Sequence, residues 1–121
     1  MDFTKFNKSN RIEWGIKTEN LPFKKLSELA SEKIEVVKVR GFYLTNTKFG
    51  KQANMITDSS IVNCPMPLTD TIESILNDND AINAIKNGEC YVKIRMYHPK
   101  TYNKDCYTFD FVSESEVYTE N

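Results

Sequence analysis

Apolar and polar positions alternate along most of this chain, and one stretch of helical spacing interrupts the alternation. Ile34 and Val36 hold one phase, while Val37, Val39, Tyr43 and Thr45 hold the other, so Lys33–Asn46 predicts one long strand. The slip at Val36-Val37 predicts a β-bulge, and Gly41 offers a second place to bend. Asn46–Lys51 reads as a hairpin loop in which Gly50 can take a positive φ. Gln52–Thr57 and Ser60–Cys64 predict two more strands, turned by Asp58-Ser59 and ended by Pro65 and Pro67. Leu68, Ile72, Ile75 and Leu76, then Ala81, Ile82 and Ile85, predict a two-piece helix over Leu68–Lys86. Asn77–Asp80 interrupts it and can cap the second piece, and Asn87-Gly88 ends it. Glu89–His98 and Lys104–Val112 predict the last two strands, with Tyr107, Phe109 and Phe111 on a core-facing side.

Ahead of the long strand the pattern is weaker. Residues 1–10 read as a loose polar arm, and Ile12, Trp14 and Ile16 alternate as in a short strand over Arg11–Lys17. Phe23, Leu26 and Leu29 suggest a short helix or turn over Pro22–Leu29. Trp14 reads as an anchor for this segment or an oligomer contact. Three strands, a helical connection and two strands, with the first strand long and bent, is the order of the OB-fold. The expected fold is therefore mainly β: a five-stranded Greek-key barrel with its helix between strands three and four. One domain over 1–112 and a short acidic, disordered tail over 113–121 complete the expected organisation.

The run ECYVKIRMYHPK carries the candidate chemistry. On a strand, Tyr91, Lys93, Arg95 and Tyr97 share one face, and Val92, Ile94, Met96 and His98 share the other. Rings can stack on bases and cations can neutralise phosphates, which holds single strands without reading sequence. The plain alternative is an ordinary solvated strand face, and for Tyr91 and Tyr97 partial burial. On an OB barrel the loops joining strands one–two and four–five flank the binding face. The first loop here brings Lys48, Phe49 and Lys51, and the second Lys100, Tyr102 and Lys104. Strand one adds Lys38, Arg40 and Phe42 on its non-core phase. Phe49 and Tyr102, at loop tips, are the better stacking candidates, and either could instead meet another subunit.

Charge changes the picture only locally. The formal net charge is −1, yet Lys33–Gln52 sets five cations against Glu35, and Lys86–Lys104 sets five against Glu89. Acidic stretches at Asp70–Asp80 and from Asp105 onward balance them, so a basic surface is compatible with a slightly acidic chain.

Three segments, FKKLSEL at Phe23–Leu29, VRGFYLTNTKFGKQANMIT at Val39–Thr57 and INAIKNGECYVKIRMYHPKTYNKDCYTFDFV at Ile82–Val112, carry a resemblance that covers nearly the whole chain beyond Arg11. In arrangement and local phrasing the chain resembles the OB-fold single-stranded DNA-binding proteins of phages infecting Gram-positive bacteria. The resemblance implies a non-catalytic coat for single-stranded DNA in phage replication or recombination, working as a homo-oligomer in the host cytoplasm beside other phage replication or recombination proteins. Bacterial relatives in this functional class end in an acidic tail with a hydrophobic tip, whereas this chain ends Tyr118-Thr119-Glu120-Asn121. A partner-docking tail is thus not expected.

The remaining residues exclude more than they suggest. Cys64, Cys90 and Cys106 are odd in number and lack C-x-x-C spacing, which argues against a disulfide framework or a zinc site. His98 is the only histidine, and no paired acids stand near a base or nucleophile. No Gly-rich phosphate loop is present, so neither enzyme activity nor a cofactor is expected. No apolar run reaches bilayer length, and MDFTKFNKSN lacks the apolar core of a leader, so the expectation is a soluble cytoplasmic protein.

Overall fold

A computed structural model describes residues 12–48, 50–98, 100 and 106–113. The strands are β1 (Phe23–Lys24), β2 (Val36–Lys38), β3 (Gly41–Thr47), β4 (Gly50–Ile56), β5 (Ile61–Asn63), β6 (Tyr91–Tyr97) and β7 (Cys106–Val112). The helices are α1 (Leu26–Ser31), α2 (Thr69–Leu76) and α3 (Asn79–Lys86), with a 3-10 turn at Met66–Leu68. The protein is mainly β. Its strands form a four-stranded sheet ordered β1-β5-β4-β3 and a three-stranded sheet ordered β2-β6-β7. All neighbours are antiparallel except β1 and β5. The expected closed barrel is absent among the described residues, since no ladder joins β7 to β5; β1 occupies the outer edge of β5 instead.

One chain path links the two sheets. Val39 N–H donates to the Cys90 carbonyl at 2.9 Å, and Arg40 N–H donates to the Ile56 carbonyl at 2.7 Å. The strand therefore changes partners between Val39 and Arg40, from β6 to β4. Val37 and Val39 are buried on one phase and Phe42 on the other, so the phase slip falls three residues beyond Val36-Val37. That slip carries Phe42 into the core, at 1% exposure, and corrects its expected place on the outer face.

Gly41 sits at this bend for a steric reason. A Cβ there would stand 2.4 Å from Cγ of Trp14, far inside contact distance. The Trp14 indole lies on the strand and donates its Nε1–H to the Phe42 carbonyl at 3.0 Å. Residues 12–17 are thus held by a ring and one hydrogen bond, and they form no strand, against the alternation of Ile12, Trp14 and Ile16. The residues of the expected N-terminal arm lie outside those described, as does most of the acidic tail.

The hairpin is tighter than its sequence suggested. Asn46 pairs with Lys51 and Thr47 with Gly50, so the ladder runs further toward the tip than the loop expected over Asn46–Lys51. Gly50 takes φ +114°, which a Cβ would oppose. Across the turn to β5, Thr57 and Ser60 bond each other through backbone and hydroxyl, including Thr57 N–H to the Ser60 carbonyl at 2.9 Å.

The helical connection lies between β5 and β6, in two pieces. Asp78 Oδ1 caps α3 by accepting from Asp80 N–H at 3.0 Å and Ala81 N–H at 3.2 Å. Ile72 of α2 and Ile85 of α3 are buried in one core with Val39, Phe42, Met55, Val62, Val92 and Phe109, which draws on both sheets. No helix among the described residues is long and apolar enough to cross a membrane.

Candidate functional site

β6 is the centre of the three-stranded sheet, with β2 on one side and β7 on the other. Its register sets Lys38 and Val112 beside Tyr91, Val36 and Asp110 beside Lys93, Thr108 beside Arg95, and Cys106 beside Tyr97. Directly opposed residues share a face. The outer face therefore joins Lys38, Tyr91, Lys93, Arg95 and Tyr97 in one patch. Tyr91 and Lys93 are half-buried, Arg95 is exposed, and Tyr97 is 38% exposed.

The opposite face of β6 begins as core and ends in solvent. Val92 is fully buried and Ile94 half-buried, but Met96 is 56% exposed, so the apolar stripe is shorter than the alternation implied. On β7, Phe109 is buried while Phe111 is 40% exposed, its ring edge-on to Phe42 at 6.2 Å and to Phe109 at 5.8 Å. Phe111 thus covers the core rather than filling it.

Electrostatics within the patch are uneven. Arg95 grips Asp110 with two prongs, Nε to Oδ2 at 2.7 Å and Nη2 to Oδ1 at 3.4 Å. The hydrogen bond and charge of Asp110 raise the Arg95 pKa, and the Arg95 hydrogen bond holds the Asp110 carboxyl below its ordinary value. Lys38, Lys93 and Arg95 against Asp110 leave the face at +2 (3 − 1). Gly88, at φ +78°, lets the chain after α3 approach Lys38; a Cβ there would stand 2.9 Å from Lys38 Cε.

The other predicted site residues go elsewhere. Arg40 Nη1 meets Asp58 Oδ1 at 2.6 Å, on the turn between β4 and β5. Lys51 Nζ meets Glu73 Oε2 of α2 at 2.6 Å, and that carboxylate raises the lysine's pKa. Lys48 is exposed at the tip of the β3–β4 hairpin, and Lys100 is exposed in the connection from β6 to β7. Phe49, Tyr102 and Lys104 lie outside the described residues.

A second sheet face carries polar side chains without charge. Tyr43, Thr45, Gln52, Asn54 and Asn63 share the non-core face of the four-stranded sheet, by the pairings of Tyr43 with Asn54, Thr45 with Gln52, and Asn54 with Asn63. Gln52 Nε2 donates to the Ala53 and Cys64 carbonyls at 2.8 Å each, and Asn54 Nδ2 donates to Thr45 Oγ1 at 3.3 Å. Asn54 is only 3% exposed, and burial pushes the Tyr43 hydroxyl pKa up. The alternation of Tyr43 with Thr45 and of Gln52 with Asn54 was a visible signal for this strip. No family model, no curated protein and no solved structure matches the chain.

Proposed function

We propose that this protein binds single-stranded DNA without sequence preference across the outer face of the three-stranded sheet. The observation that carries the reading is the alternation Tyr91, Lys93, Arg95, Tyr97 on one face of a central strand, with Lys38 set beside Tyr91. Rings at alternate positions offer stacking platforms, and the cations between them meet the phosphates. Asp110 keeps Arg95 extended and oriented while leaving the face net positive.

The strand connections support an OB-type frame. β2 and β3 act as its long bent first strand, β4 and β5 as strands two and three, and β6 and β7 as strands four and five. The helices α2 and α3 stand where the OB helix would. Closure is the point of difference, with β1 taking the position beside β5 that the fifth strand would fill. The sequence resemblance extends the proposal to a homo-oligomeric, non-catalytic coat used in phage DNA replication or recombination, in the host cytoplasm.

Fluorescence anisotropy of labelled oligo-dT of about 30 nucleotides, beside the matching duplex, tests the reading at two salt concentrations. Tight single-strand binding that weakens with salt, with the duplex much poorer, is the expected result. Absence of binding at low salt removes it. A protein-interaction domain is the second reading, favoured by the exposed apolar side chains of Phe23 (66%) and Met66 (49%). Partner capture that survives high salt, with no oligonucleotide binding, selects it.

A further inference from the structure

The outer face of β6 does not simply run out at Tyr97. Beside it opens a groove of about 470 Å³, bordered by Tyr97, Cys106 and Tyr107 on one side and by Lys25, Asn63 and Met66 on the other. Its origin lies in the open fold. β5 stops at Asn63, Pro65 and Pro67 cannot donate to a ladder, and the chain turns away at Met66. Opposite, β6 and β7 end at the Tyr97–Cys106 pair. The groove occupies the gap that a ladder between β5 and β7 would have closed.

Its chemistry is specific. Two phenol rings and a thioether give flat, polarisable walls. Exposed Asn63 offers an amide that can both donate and accept, and exposed Lys25 adds a cation. Among the described residues lining the groove, none is an aspartate or glutamate. The volume falls in the range of about 300–1,000 Å³ typical of small-ligand sites. A planar heteroaromatic ring with a hydrogen-bonding edge and an attached phosphate matches every one of these groups.

Resting on the proposed binding of single-stranded DNA, we infer that this groove takes one unstacked base of the bound strand. Tyr97 belongs to both surfaces, so a strand lying along Tyr91–Tyr97 enters the groove without leaving the protein. The face along β6 then tolerates any register, and the groove sets one. Each bound oligonucleotide has a single base held apart from its neighbours.

The test uses the full chain and oligo-dT of about ten nucleotides carrying one 2-aminopurine, moved position by position. One position is expected to change its fluorescence differently from the rest. Met66→Glu, at a half-exposed position on the 3-10 turn, should abolish that difference and weaken binding roughly 10-fold, while Met66→Leu retains both. Asn63→Ala, also exposed, should weaken binding less and blunt the same signal. Binding by wild type that is equal in signal at all positions, or unmoved by Met66→Glu, overturns the inference and leaves the function standing. Wild type that binds no oligonucleotide removes both.

Discussion

The two sheets share one strand path and use the same kinds of residue, yet their cations end differently. On the four-stranded side, Arg40 and Lys51 each meet a carboxylate at 2.6 Å, and the non-core face is an uncharged strip of Tyr43, Thr45, Gln52, Asn54 and Asn63. On the three-stranded side, Lys38, Lys93 and Arg95 stand on one face, where Arg95 meets Asp110. The two basic segments of the sequence were equal in charge, at +4 each. The topology separates their cations: Arg40 meets Asp58 from the β4–β5 turn, Lys51 meets Glu73 from a helix 22 residues away, Lys38 of the first segment joins the other sheet, and Arg95 of the second meets Asp110 of β7. A count of charges along the chain cannot show this, because ion pairs are made across the fold.

The largest effect expected from breaking this contrast is on stability, with binding left in place. Trp14→Ala removes a buried indole and its hydrogen bond to Phe42, which should cost about 3–5 kcal/mol by chemical denaturation. Where the variant remains folded, its affinity for oligo-dT should equal wild type; a selective loss of binding would move the site to the Trp14 side. Tyr97→Ala should cost about 1–3 kcal/mol of binding, read as a shift in Kd at fixed salt, with little change in melting temperature. An unchanged Kd would reassign Tyr97 to structure.

Asp110 sharpens the comparison in the opposite direction. Asp110→Asn removes the one carboxylate on this face among the described strand residues, so single-strand affinity should rise several-fold, with a salt slope steeper by up to about 0.7. Acid should act the same way. The Asp110 carboxyl is held below its ordinary value by Arg95, so the ion pair persists above that lowered pKa and is lost as pH falls through it. Arg95 is then released to phosphate, and binding should tighten at that acid edge in wild type but not in Asp110→Asn. The smallest effect is expected from Arg40→Ala or Lys51→Ala, each removing a solvent-screened ion pair that contributes little to stability. Oligonucleotide affinity should stay within error of wild type in both.

The sequence made the strand faces legible wherever alternation was unbroken. Tyr91, Lys93, Arg95 and Tyr97 share a face because nothing interrupts β6. Asp78 as a cap and Gly50 at positive φ followed from local chemistry alone. The failures lie where tertiary structure decides. Val39-Arg40 carries the change of partner between sheets, a feature with no local signature, and the displaced slip sent Phe42 inward. Trp14 is an anchor, one of the two roles its sequence suggests, but the strand expected around it does not form because its ring packs over Gly41. β1, two residues long, is too short for any periodicity to reveal, and it stands where closure of a barrel was expected.

The central claim is that the three-stranded face, and not the four-stranded one, meets the phosphates. The most direct measurement is the slope of log K against log salt for oligo-dT, compared across wild type, Lys93→Ala with Arg95→Ala, and Arg40→Ala with Lys51→Ala. The first double variant should flatten the slope by about 1.4, two phosphates at about 0.7 each, and the second should leave it unchanged. A slope flattened by Arg40→Ala with Lys51→Ala, and untouched by Lys93→Ala with Arg95→Ala, would contradict the account.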